Sequence, residues 1–211
     1  MGLFDNKTRR DPYLSGGNYG SMDVKSRSAI TESLLDIATT SYGSGVLDYT
    51  PAYKSAVHDL SKKYIVYTDG GYFNNKGACA FTVLDENGNF LQDHVTAYKN
   101  TTNNRMEIRA ILTVLEGIKP PSHLLIVSDS QYCVNTVNNW IFKWARGHWT
   151  KNDLKNVDLW KRVWKRMHWH NVRMAWVKGH SGVVYNEHCD QLAEQAIKTT
   201  QFDSAIDCRN A

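Results

Sequence analysis

The chain is short of the features that mark secreted, disulfide-stapled or membrane proteins. Only four cysteines occur in 211 residues, Cys79, Cys133, Cys189 and Cys208, and none is spaced as a pair. This indicates neither a disulfide framework nor a zinc site, and leaves reduced, mostly buried thiols as the expectation. No apolar run approaches a membrane span, and the start Met1-Gly2-Leu3-Phe4-Asp5-Asn6 lacks the hydrophobic core of a secretory signal. Asn6 also stands where a myristoylation signal needs Ser or Thr. A soluble, cytoplasmic protein is expected. Proline is scarce too, four residues in all, and none interrupts the chain from Thr101 to Lys119.

Charge is unevenly spread. The net +4 of the chain conceals ten Lys or Arg against two acids between Trp140 and Lys178, a local +8. All seven tryptophans fall in that window. Basic and aromatic residues interleaved in one stretch suit a nucleic-acid backbone with sugars or bases beside it. The competing reading is a solvated basic helix with core tryptophans, and Trp160 and Trp164, one turn apart, are expected to pack inward.

The length allows one domain of about 150 residues plus an appendage. Residues 1–60 form the expected N-terminal extension, rich in Gly, Ser and Asn at first and then carrying one or two short helices, with Ile30, Leu34, Leu35, Ile37 and Ala38 on one apolar face. One such helix cannot bury its own face, so it either docks on the main domain, meets a protein partner or stays partly ordered. Residues 61–199 form the main domain and 200–211 a tail.

Within the domain, Tyr64 to Thr68 is a β-branched and aromatic run as expected of a strand buried on both faces, ended by Asp69-Gly70-Gly71. Gly77 to Leu84 and Phe90 to Tyr98 read as strands joined by a turn at Asp85 to Asn89. A helix follows from Thr101 to Ile118, then a strand His123 to Ser128 that also ends in an aspartate, Asp129. Helices near 130–144 and 154–168, a strand 172–177 and a helix 185–198 complete a mixed sheet flanked by helices.

The Thr101 helix carries an apolar stripe of Ala110, Ile111, Val114, Leu115 and Ile118, and Glu107 lies on it. A carboxylate aimed at a core needs a partner, and the ordinary reading is that Glu107 caps the helix or pairs with Arg105 or Arg109. Three other carboxylates compete. Asp69 and Asp129 close buried strands, and Asp190 sits at the edge of the last helix's apolar face; parallel strands would bring the two aspartates side by side. Four converging carboxylates repel unless a hard cation joins them, and oxygen ligands without His or Cys favour Mg²⁺ or Mn²⁺.

Six motifs carry a resemblance. Thr68-Asp69-Gly70, Thr101 to Glu107, Ser128-Asp129-Ser130-Gln131-Tyr132, Lys155 to Trp160, Trp176 to Gly182 and Asn186 to Asp190 resemble, in order, the type 1 ribonuclease H family of bacterial style over about residues 62–198. The resemblance implies the ribonuclease H-like α/β fold, with five strands in a mixed sheet. It implies hydrolysis of the RNA strand of an RNA/DNA hybrid, leaving 5′-phosphate and 3′-hydroxyl ends, with Asp69, Glu107, Asp129 and Asp190 holding two Mg²⁺ ions, Mn²⁺ being an alternative. His180 matches a histidine that assists turnover, in a glycine-flanked loop expected to be mobile. Asn75, Asn103, Asn104 and Gln131 match minor-groove contacts, Trp140 and Trp144 match aromatics of the DNA-strand channel, and Thr102 and Asn156 match a DNA-phosphate pocket. A monomer is expected.

The chain departs from the family at Asn100, where many members are basic, in a shorter turn after Asp69, and in a shorter basic protrusion between Trp144 and Trp160. Its first 60 residues do not resemble the hybrid-binding domain of many eukaryotic members. The other readings are a non-catalytic hybrid-binding module, the nuclease portion of a larger polymerase, or a DNA-directed resolvase or transposase of the same fold. Loss of a carboxylate would mark the first, a polymerase-sized remainder the second, and absence of Asn103-Asn104 with Gln131 the third.

Overall fold

The computed structural model describes residues 60, 62–119 and 121–199. The helices expected in the first 60 residues, the tail and Cys208 lie outside them. The described elements are β1 (Lys63–Phe73), β2 (Lys76–Asp85), β3 (Phe90–Lys99), α1 (Asn103–Gly117), β4 (His123–Ser128), α2 (Gln131–Asn135), a π-helical turn (Thr136–Trp140), α3 (Ile141–Arg146), α4 (Val157–Met167), β5 (Asn171–Trp176) and α5 (Val184–Thr199). None of these helices is long and apolar enough to cross a membrane.

One five-stranded sheet has the order β3-β2-β1-β4-β5. The first three strands are antiparallel, whereas β4 is parallel to both β1 and β5. Val66, Leu124 and Ile126 face α1 and α4 and build the larger core, in which Trp160 is fully buried. Ile65, Tyr67 and Val127 face α5, where Cys189 and Ala193 close the second layer. Cys79, Cys133 and Cys189 are free and buried.

β1 does not stop at Asp69. Its parallel ladder with β4 runs out at Tyr67 opposite Val127, but its antiparallel ladder with β2 continues through Gly70 and Gly71 to Phe73. Gly and Asp are poor strand formers in isolation, and pairing on one side overrides that preference. The turn is therefore only Asn74-Asn75, with φ of 47° and 63°, the left-handed pair that a two-residue hairpin demands.

The helix read as 130–144 is interrupted by the π-turn. Inside that turn, Asn138 donates from Nδ2 to the Met174 carbonyl at 2.9 Å and accepts the Met174 N–H at 3.2 Å. Further on, α4 starts at Val157 rather than near residue 154, because Asn156 takes a left-handed conformation, φ 57°, at its N-cap.

Candidate active site

Three of the four carboxylates meet. The β1/β4 register, continued two residues beyond Tyr67 and Val127, sets Asp69 level with Asp129. Glu107 joins them from the first turns of α1, so that one oxygen from each lies within 4.8 Å of the others. Thr102 starts this helix by accepting the Arg105 N–H at 3.3 Å. The close approach depends on Gly70, where an added Cβ would lie 2.3 Å from the Glu107 nitrogen.

Neither arginine neutralises Glu107. Arg105 is buried and forms a bidentate pair with Asp158 of α4, at 3.0 and 2.7 Å, while Arg109 lies over the Tyr98 ring at 4.4 Å. Glu107 Oε2 is buried without a hydrogen-bond partner. Burial, and then the charges of Asp69 and Asp129, hold its carboxyl well above the usual range. Burial pushes Asp69 up to about 7, with Asp129 adding to the effect. An all-oxygen donor set with an orphaned buried oxygen fits a hard divalent cation.

A group whose folded-state pKa is raised contributes stability that is complete below its ordinary value and is lost as pH rises through the folded value. The window for Asp69 runs from 3.8 to about 7. Metal-free protein should therefore melt lower at about pH 8 than at about pH 5.5, and Mg²⁺ should raise the melting temperature more at the higher pH. Equal melting at both pH values without metal would contradict the repulsion.

Asp190 stands outside the three-carboxylate cluster, on α5. Its carboxyl is raised by partial burial and lowered in part by His180, whose Nδ1 lies 3.7 Å away. His180 is 81% exposed and has a left-handed backbone, φ 50°. The glycines flanking it have separate positional reasons. A Cβ on Gly179 would come within 2.6 Å of Asp129 Oδ2, and Gly182 has φ 85°.

Of the other expected residues, Asn104, Trp140 and Trp144 line one groove, and the rest are placed singly. Asn103 and Asn104 are exposed at the start of α1, and Gln131 is exposed at the start of α2. Asn75 donates from Nδ2 to Asn100 Oδ1 at 2.7 Å, and the Asn100 N–H meets the Asn75 carbonyl at 2.9 Å. Asn100, the departure from the basic residue of the pattern, thus ties the β1/β2 turn to the head of α1. Asn104, Tyr132, Trp140, Trp144, Leu154, Lys151 and Lys155 line one groove. Asn156 reaches Arg105 at 3.5 Å.

A family model for RNase H matches residues 61–198. The chain belongs to the ribonuclease H family. Ribonuclease H of Chlorobium chlorochromatii (strain CaD3) is 39% identical over 145 residues, 67% of this chain and 99% of that protein. The fold is similar to the crystal structure of LC9-RNase H1, a type 1 RNase H with the type 2 active-site motif, with TM-score 0.59, 22% identity, and 68% of this chain and 76% of that one covered. It is also similar to a foamy viral protease-reverse transcriptase solved in complex with an RNA/DNA hybrid, with TM-score 0.58, 20% identity, and 67% and 21% covered.

Two contacts in this ribonuclease H were not foreseen from sequence. Trp176 Nε1 donates to the Asp129 carbonyl at 2.9 Å, and Asn186 Nδ2 donates to Asp129 Oδ2 at 3.4 Å. The i, i+4 spacing of Asn186 and Asp190, one helical turn apart on α5, is the signal that could have led to the second.

Proposed function

We propose that the chain hydrolyses the RNA strand of RNA/DNA hybrids by two-metal-ion catalysis, leaving 5′-phosphate and 3′-hydroxyl ends. The convergence of Asp69, Glu107 and Asp129 within 4.8 Å carries this reading. Asp69, Glu107, Asp129 and Asp190 would hold the ions, Mg²⁺ or Mn²⁺, which when bound supply an activated water and stabilisation of the leaving oxygen. The retention of all these carboxylates disfavours a non-catalytic hybrid-binding module. Asn103-Asn104 with Gln131 disfavours a DNA-directed nuclease.

The remaining residues bind, orient and move protons. Asn103, Asn104, Gln131 and Asn75 present amides to the hybrid's minor groove, where 2′-hydroxyls distinguish RNA from DNA. Thr102 and Asn156 form the DNA-phosphate pocket, and exposed Lys143, Arg146, Lys151 and Lys155 extend the positive surface. His180, beside Asp190 and open to solvent, carries protons or helps product leave. Cleavage of labelled RNA/DNA, RNA/RNA and DNA/DNA duplexes, with and without Mg²⁺, tests the reading. RNA cut only in the hybrid and only with metal is the expected result.

His180→Ala should slow turnover by about a hundredfold and leave residual activity, as befits a proton carrier. A variant as inactive as a carboxylate variant would make His180 a ligand instead.

The tryptophans divide by packing. Trp140 is 39% exposed, whereas Trp144 is half-buried, its ring 6.2 Å from that of buried Trp160. Trp140→Ala should weaken hybrid binding by roughly 1–3 kcal/mol with little change in melting. Trp144→Ala should raise KM and lower the melting temperature together. Unchanged KM in both variants would remove the aromatic groove from the substrate path.

A further inference from the structure

Among the described residues, two buried side-chain polar atoms lack a hydrogen-bond partner, Glu107 Oε2 and Asn186 Oδ1. The first belongs to the carboxylate cluster. The second belongs to a residue only 2% exposed that touches the same cluster through Asp129. Folded proteins pair their buried acceptors, so each of these two oxygens calls for a donor or a cation.

The carboxamide's orientation is chemically determined. An ionised Asp129 only accepts hydrogen bonds, so the NH₂ of Asn186 must face it and the oxygen must lie on the other arm. Asp129 Oδ2 also lies close to Gly179, where an added Cβ would come within 2.6 Å of it. Asn186 and Asp190 follow one another at i and i+4, on one face of α5. A purely structural role at this buried position would be served better by leucine, which has similar volume and no oxygen to desolvate. Carboxylates cannot supply the donor that Oδ1 lacks. Water bound to a divalent cation can, because the metal polarises its O–H groups.

We propose that Asn186 is a positioning residue of the cation site: Nδ2 holds Asp129 in place, and Oδ1 accepts a hydrogen bond from the hydration shell of the bound divalent cation. This rests on the two-metal reading above. It assigns α5 two polar residues facing the metals, Asn186 through water and Asp190 as a ligand.

The test is calorimetric titration of the full chain with Mg²⁺ and no substrate, in the parent, Asn186→Leu, Asn186→Ser and Asp129→Asn, with the melting temperature of each measured without metal. Asn186→Leu should weaken Mg²⁺ binding by about tenfold or more, the usual effect of losing a group that orients a metal ligand. Its metal-free melting temperature should be unchanged or higher. Asn186→Ser, which keeps a small polar side chain, provides the same affinity test if the leucine variant does not fold. Unchanged Mg²⁺ affinity with a lower metal-free melting temperature would make Asn186 structural and overturn the proposal. If Asp129→Asn loses Mg²⁺ binding and the Asn186 variants do not, only this proposal fails. If Asp129→Asn binds Mg²⁺ as the parent does, the cation reading itself fails and takes the proposal with it.

Discussion

Asp129→Asn should lose hydrolysis almost completely while the protein stays folded. The replacement keeps the side chain's shape, and its carbonyl oxygen can still accept from Asn186. What disappears is one charge from a site whose ligands must offset a divalent ion. A metal ion contributes several kcal/mol of transition-state stabilisation, so hydrolysis should fall by about a thousandfold or more. Metal-free stability should move the other way. Asp129 helps to raise the carboxyls of both Asp69 and Glu107, and removing it relieves that repulsion. An unchanged or higher melting temperature without metal, with the Mg²⁺-induced rise lost, is the combined signature. Ordinary activity with Mg²⁺ would sink the assignment of the site.

Gly70→Ala should be the most disruptive single-methyl change in the domain. Its Cβ would sit 2.3 Å from the Glu107 nitrogen and 2.6 Å from the Met106 carbonyl carbon. Both are helix backbone atoms, with no rotamer by which to escape. Overpacking of this kind costs about 1–3 kcal/mol, sometimes more. A melting temperature lower by about 5 °C or more is expected. Because α1 must retreat from β1, Glu107 should also move away from Asp69, and Mg²⁺ affinity should fall with stability. A folded Gly70→Ala variant with parental melting and parental Mg²⁺ binding would show that the strand and helix need not approach so closely.

The parts of the site legible in the sequence were those with a period. Strands bounded by Asp69 and Asp129 stand out because buried strands are continuous apolar runs, and Glu107 shows because it falls on a helical stripe. Their meeting required only that β1 and β4 be parallel neighbours, as they are. The continuation of β1 to Phe73 was hidden, since Gly70 and Gly71 resemble a stop and only pairing with β2 reveals otherwise. The π-turn left no mark in composition, being one extra residue within an otherwise helical pattern. Arg105 looked like a local partner for Glu107, yet it pairs with Asp158, 53 residues away, a contact that no local spacing encodes. The sequence offers no reason for a glycine at 179 in particular, and the structure supplies one, since a Cβ there would come within 2.6 Å of the Asp129 carboxylate.

The two hydrogen bonds between Asn138 and Met174 have a consequence beyond the active site. β5 lies at the end of the sheet, and an open strand edge is a template on which a second chain can add. At Met174 both the N–H and the carbonyl are already satisfied by a single amide side chain. Asn138 therefore stands in for a neighbouring strand at this one residue, leaving Met174 no free backbone group for a second chain to pair with. The π-turn that carries Asn138 thereby covers the backbone of Met174 on that edge.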